Sequence, residues 1–579
     1  MRPVRLALTI AAGILVLGVV WAAWQTWQVS RSLSAAADDA RSLQTAIDES
    51  DQAGVDEALE RLEKHASDAD GRTGGTTWSL MTHAPMFGDD AKGVRLVSSV
   101  LGDLTSEGFS QLAESAADLD AYLPREGKIP LDSLQGLQDP VSQADIAFAE
   151  ADRRLSAEDP SGYVGPLKTN YEDLAARIAD ASSGLSTATK ALALLPDMLG
   201  GAGPRNYLLI FQNNAEIRAT GGLPGAWALV HADDGALEIE RQGTASDFLA
   251  REGGSILPLT PEEEQAYGPQ LGEYFQDANF TPDFTRSAEL WHAWWDATFP
   301  ATGIDGVLSV DPVAMSYLLD STGPVTVGDV TLTSENAVAE LLNAPYIEKD
   351  PTAQDAFFAE AGRAVFTAVT GSLQSPVGFL RALSRATVEG RVHVNSFIPE
   401  EQAQIDGTSL AGELPDDDGA HPHVQIAIND ATGSKMSYYL RYRASVDARD
   451  CSGGVQSLLG TLSLNQSMPA AEAAILPAAV TGGGQFGIAA GKQLVIARIY
   501  GPTGGSLSNL RIDGKTFDSE VIQLNGRPVM VVVVELSGPD DVLVSWSMQT
   551  KQGQEENGTV GVTPSVAPGA KSSTIPTAC

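Results

Sequence analysis

The chain has 579 residues, of which 43% are hydrophobic, and a formal net charge of -38. That length and apolar content belong to a folded protein of several domains, not to a disordered chain. The acidity argues against a nucleic-acid-binding surface, because phosphates would be repelled rather than exchanged for counterions, and it otherwise serves solubility.

The first expectation concerns the N-terminus. Arg2 and Arg5 precede an uncharged run from Leu6 to Trp24, long enough to cross a bilayer as a helix. The positive-inside rule then predicts a single-pass cell-membrane anchor in residues 1–27, with the N-terminus in the cytoplasm and the bulk of the chain outside. Trp21-Ala22-Ala23 leaves a cleaved signal peptide as the alternative. Only Cys451 and Cys579 occur, and in an oxidising compartment such a pair is expected as a disulfide; two free thiols or an intermolecular bridge are the alternatives.

From residue 28 to 195 apolar positions such as Leu33, Ala36, Ala40, Leu43 and Ile47 recur at helical spacing. The reading is an antiparallel helical stalk or bundle, interrupted by a loop at 71–90 and by Pro124 and Pro130, and ending at the Gly/Pro connector 196–204. Strands then alternate with helices. Strands are expected at 206–211, 226–231, 237–241, 306–310 and 391–397, and helices at 285–298, 311–319, 337–342, 353–370 and 376–388, which makes 202–412 an α/β domain. Beyond the acidic turn around Asp416 only strands follow (424–428, 436–445, 460–464, 493–500, 520–524, 529–536 and 542–548). That pattern predicts an all-β sandwich over 420–550. The last stretch, 551–579, is low in complexity and is expected to pack poorly apart from Cys579.

Chemistry is harder to read than architecture. No His-Glu-x-x-His, Gly-x-Ser-x-Gly, Walker loop or dinucleotide fingerprint is present, so protease, esterase and nucleotide-binding readings lose their usual support. His421-Pro422-His423 reads as a surface loop rather than as a metal site. The stretch from Arg205 to Phe248 is the place where charged side chains most regularly meet strand ends. Glu216 and Arg218 flank the glycine turn at Gly221-Gly222, and Arg241 ends the third strand. That turn either admits an anion to backbone amides or is simply tight. Asp277, Asn279, Asp283 and Arg286 cluster ahead of a helix carrying Trp291, Trp294 and Trp295. Asp283 or Thr281 is a candidate helix cap, and the tryptophans suit core packing better than sugar stacking. Arginines with carboxylates are what a diphosphate and a divalent cation require.

Four segments, NYLLIFQNNAEIRATGGLPG, QDANFTPDF, IDGVLSVDPVAMSYLLDSTGPV and NDATGSKMSYYL, closely resemble a bacterial membrane-anchored family known only as domain of unknown function four-zero-one-two. The likeness runs over roughly 206–445 and implies an anchored envelope protein associated with surface polysaccharide, without supplying an activity. The strand order and IDGVLSVDPVAMSYLLDSTGPVTV also look like the LytR-CpsA-Psr fold, whose enzymes transfer glycopolymers from polyprenyl diphosphate carriers to the cell wall. On that resemblance Arg218, Arg241 and Arg363 correspond to the diphosphate-holding arginines. The pattern departs at Thr220, where the metal-binding aspartate is expected, and after Arg241, where Asp247 is the nearest aspartate.

The leading expectation is therefore an extracytoplasmic protein that binds or helps process a surface glycopolymer or its polyprenyl-linked precursor. Arg218, Arg241, Arg363, Glu216 and Asn279 would bind the ligand. The enzymatic alternative is a phosphotransferase that uses Asp247 or Asp283 as base or metal ligand, with Mg²⁺ as the cofactor such chemistry calls for. A non-enzymatic scaffold acting through protein contacts is the third reading.

Overall fold

The computed structural model describes residues 24–46, 51–85, 87–108, 124, 127–251, 253–371, 373–569 and 572–579. Among these residues no helix is long and apolar enough to cross a membrane. This overturns the expected N-terminal transmembrane helix, and with it the single-pass membrane placement. Of the Leu6–Trp24 run only Trp24 is described, and it begins a helix over 24–46 in which Trp24 and Trp27 are exposed and Val29, Leu33, Ala36 and Leu43 turn inward onto other helices.

The described chain divides into two compact units, residues up to 123 with 130–196, and residues 124–129 with 197–579. The first is helical: 24–46, Gln52–Thr73, Thr76–Met81, Gly88–Asp103, Leu131–Ser156 and Gly165–Met198, the last running two residues past the unit's boundary. The apolar spacing buries Ala36, Leu43, Val55, Ala58 and Leu62 in one cluster and Val100, Phe148, Leu155, Tyr171 and Ile178 in another. The stretch expected as a loop holds the helix Thr76–Met81. Its Trp78 is buried and donates from Nε1 to the Ala91 carbonyl (2.8 Å), which is how an indole among apolar neighbours satisfies its one donor.

Among its described residues the second unit holds 18 strands: β1 (Arg205–Arg218), β2 (Gly221–Asp233), β3 (Ala236–Thr244), β4 (Gly306–Val310), β5 (Val325–Val327), β6 (Val330–Leu332), β7 (Val392–Ser396), β8 (His423–Asp430), β9 (Leu440–Ser452), β10 (Val455–Gln466), β11 (Gln493–Tyr500), β12 (Ser506–Ile512), β13 (Lys515–Thr516), β14 (Val521–Leu524), β15 (Arg527–Leu536), β16 (Val542–Gln549), β17 (Gly558–Val562) and β18 (Ser573–Ile575). One sheet has the order β3-β2-β1-β4-β7, with β1 and β4 parallel and the other pairs antiparallel. Side chains alternate across β1, so Leu208 and Ile210 join Trp227, Phe275, Trp291 and Trp295 on one face. Tyr207 and Leu209 face Leu308 and Phe366 on the other, where the helices Pro312–Thr322 and Pro351–Thr370 lie. The tryptophans of the helix Phe284–Thr298 are core residues. The β2–β3 hairpin turns at Asp234-Gly235 with φ of 48° and 82°, the left-handed pair that a two-residue hairpin of this twist demands.

Two further sheets, β13-β12-β16-β10-β9 and β14-β15-β11-β8-β17-β18, face each other over an aliphatic core that includes Ile426, Leu462, Val495 and Trp546. Ala427, Tyr500, Ile522 and Val529 of the second of these sheets belong to the same cluster as Trp227 and Trp291. The α/β layer and the sandwich therefore share a core.

Three expectations are corrected here. The polar segment after Phe211 is not a turn, because β1 continues to Arg218 with every residue from Asn214 onward buried. Met436–Tyr439 is a 3-10 turn ahead of β9 rather than the start of a strand. The low-complexity tail packs well: β17 pairs in parallel with β8, β18 closes the sheet, and Cys579 is bonded to Cys451.

Candidate functional site

A cleft of about 500 Å³ opens where the parallel pairing of β1 with β4 stops, at Phe211 and Val310, between the sheet and the helices that follow. In open α/β sheets the crevice outside the carboxyl ends of parallel strands is the usual place for a ligand. Phe211, Leu223, Trp227, Met315, Leu341 and Phe358 give it apolar walls. Its polar groups include Gln212 and Asn213 of β1, Gln242 and Thr244 of β3, and Tyr346, Asp355 and Lys435 from distant segments. Asn213 donates to the Tyr346 hydroxyl, and the Lys435 ammonium lies 5.4 Å from the Tyr346 ring. Of the two readings of the Gly221-Gly222 turn, close backbone packing accounts for Gly222. A Cβ on Gly222 would lie 2.2 Å from the carbonyl carbon of Asn213, so glycine is what lets β2 close against a bulge in β1.

Lys435 connects the cleft to a buried set of charges. Its ammonium pairs with Glu216, which also accepts from Arg218 (3.1 Å), and Arg218 reaches Asp277 at 3.4 Å. Burial disfavours the charge on Glu216, yet Lys435 and Arg218 outweigh it and hold the carboxyl below its usual range. Burial likewise pulls Lys435 down, and Glu216 more than offsets it. Asp277 is pushed up to about 6 by burial, against the pull of Arg218. Asp430 is pushed up to about 6 by burial and Glu216; its Oδ2 accepts the amides of Thr432, Gly433 and Ser434. Buried charges paired in this way favour one arrangement of strands, and Arg218 is not among the residues that line the cleft.

The other expected site residues lie apart. Arg241 is exposed and stacks over Phe299 at 5.1 Å. Arg363 stands at the cleft rim, donating to Gln242 (2.6 Å). Asp247 accepts the Thr244 amide (2.8 Å) and the Trp227 indole N–H (3.2 Å). Asp283 caps the helix Phe284–Thr298 through the amides of Thr285 and Arg286; burial pushes its carboxyl up to about 7. Asn279 is wholly buried and donates to Gln212, Thr220 and the Gly222 carbonyl.

Among the described residues no group of three His, Cys, Asp or Glu side chains is placed to hold a metal. Thr220 donates to Gln212 Oε1 and accepts from Asn279, which leaves no carboxylate where the resemblance would require one. The residues present do not fit a Mg²⁺ site there. His421 and His423 instead hydrogen-bond the Asn557 carbonyl and the Thr559 hydroxyl, tying β8 to the β17 segment.

Tyr346, Asp355 and Lys435 escape a reading by local pattern. Lys435 does lie inside the NDATGSKMSYYL segment, which was a signal for it.

Residues 202–346 match the model of a family described as a protein of unknown function, DUF4012. The match spans β1 to β6 and ends at Tyr346, so it takes in one wall of the cleft. No curated protein and no solved structure matches the chain, and the likeness to the LytR-CpsA-Psr family finds no support among these comparisons.

Proposed function

We propose that the chain binds or helps to process a surface glycopolymer or its polyprenyl-linked precursor, held in the cleft where the pairing of β1 with β4 stops. The observation that carries this reading is the lining: apolar walls at Phe211, Leu223, Met315 and Phe358, with polar groups gathered at Gln212, Asn213, Tyr346 and Lys435. Such a site suits an amphiphile, whose chain takes the apolar walls while its head meets the few placed polar groups. In a phosphotransferase acting on the same carrier, Lys435 in the lining and Arg363 at the rim would be the cations for the diphosphate. Asp355 would be the carboxylate at hand, since Asp247 and Asp283 are engaged as caps.

The test is binding of a polyprenyl diphosphate, presented in detergent micelles, to the purified full chain, compared with Leu223→Trp, which fills the cleft from the partly exposed wall of β2. Saturable binding that weakens at least tenfold in the variant is expected. Absence of binding by the folded wild type, or binding indifferent to Leu223→Trp, overturns the reading. Release of a phosphorylated product would favour the transferase over the binder.

A further inference from the structure

A second cavity of about 250 Å³ lies away from the cleft. Its floor includes Ala219, Thr220 and His393, and its rim includes Val388, Ser409 and Glu413. His393, on β7, is buried and stacked on Phe284 with ring centroids 4.9 Å apart. A directional chain of hydrogen bonds sets its tautomer. The Gly222 amide donates to Gln212 Oε1 (3.1 Å), which fixes the Gln212 nitrogen as the donor to Ser309 Oγ (2.9 Å). The Ser309 hydroxyl is buried, and the acceptor within its reach is His393 Nδ1 at 3.3 Å. The proton of the ring then sits on Nε2, which makes no hydrogen bond to the protein among the described residues. Burial pulls the imidazole down to about 4, so it is neutral at pH 7. One end of the cavity thus presents a single uncharged N–H donor.

The carboxylates complete the recognition pattern. Glu389 is fully engaged by Arg385, Arg391, Tyr317 and the Gly569 amide. Glu413 accepts the Gly407 amide at Oε1 (2.8 Å), which leaves Oε2 as an acceptor at the half-exposed rim. Leu414, Val562 and Pro564 contribute apolar surface. A donor at the floor, a carboxylate acceptor at the rim and apolar patches between them match a small neutral molecule that carries hydroxyls on a hydrocarbon ring. Anions are disfavoured by Glu413, the carboxylate of the lining that has no cation against it among the described residues.

We propose that this cavity is a binding site for a single neutral sugar unit, with a sugar oxygen accepting from His393 Nε2 and a sugar hydroxyl donating to Glu413. The site stands independently of the cleft, although Gln212 belongs to both: it lines the cleft and orients the histidine.

The test is calorimetric titration of the full chain with D-glucose and with N-acetyl-D-glucosamine, inorganic phosphate serving as the anionic control. The variants are Glu413→Gln, at a half-exposed position that does not threaten the fold, and His393→Phe, which keeps a ring against Phe284 and removes the N–H. Saturable binding of at least one sugar, weakened tenfold or more by each variant and unchanged by Leu223→Trp, is expected. No saturable sugar binding by the folded wild type overturns the proposal, as does binding unaffected by Glu413→Gln, or a preference for phosphate. Because Leu223→Trp disables only the cleft, failure here and failure of the cleft reading are distinguishable.

Discussion

The two halves of β1 belong to different environments. From Arg205 to Phe211 the strand alternates apolar side chains between two faces, pairs regularly with β2 and β4, and contributes Leu208 and Ile210 to the aromatic core. From Gln212 the register against β2 shifts twice, and the strand carries Gln212, Asn214, Glu216 and Arg218 into the interior, each hydrogen-bonded or ion-paired. Ile217 belongs to the core of the sandwich. A strand that runs from one core into another must bury whatever lies on both of its sides. Its polar residues are consequently part of the join between layers, and their chemistry is spent there.

That contrast can be broken most strongly at Arg218. Arg218→Ala leaves Asp277 buried without its cation and Glu216 with Lys435 alone, and is expected to cost about 3–5 kcal/mol in denaturant unfolding. Arg205→Ala in the regular half, whose partner Glu401 is 3.6 Å away, should cost less than about 1 kcal/mol. Equal costs would end the distinction. Gln212→Leu strands several buried partners at the start of the second half, and about 2–3 kcal/mol is expected from the same measurement.

A smaller effect is expected from pH. The Asp277 carboxyl stands at about 6 in the folded chain, above the ordinary aspartate value, so the native state holds its proton more tightly than the unfolded state. Its contribution to stability therefore falls as pH rises from about 4 to about 6, by on the order of 3 kcal/mol, and is flat above that. Asp277→Asn should reduce the slope over that window, the remainder coming from Asp430 and Asp283, and a slope unchanged in the variant would assign it to those two alone. Least of all, Gly235→Ala at a φ of 82° in the hairpin beside the regular half should cost about 1 kcal/mol in thermal unfolding, without moving the pH profile.

Periodicity made the regular elements legible. The helices Ala337–Leu342 and Pro376–Val388 and the strand Gln493–Tyr500 have the ends that apolar spacing and flanking prolines predict. It failed where burial is supplied by another layer. Glu216 and Arg218 look like turn residues until the Met436–Tyr439 segment, Lys435 and β8 cover them. Ser506–Ile512 exposes most of its side chains and offers no alternation to read. The site was legible as a place: ten residues between Phe211 and Thr244 line the cleft. It was not legible as a set of side chains, because Tyr346, Asp355 and Lys435 meet β1 only through the fold, whereas Arg218 and Arg241 are drawn off into an ion pair and a ring stack.

The parallel pairing of β17 with β8 has one more consequence. β8 runs HVQIAIND, with Val424, Ile426 and Ile428 in the sandwich core, and its flank opposite β11 is covered only by the tail strand. A proteolytic cut ahead of residue 558, together with reduction of the Cys451–Cys579 bond that otherwise tethers the tail, would turn an interior strand into an open, aliphatic edge with unpaired amides. Such an edge is a template for intermolecular strand addition, so the tail also guards the molecule against aggregation.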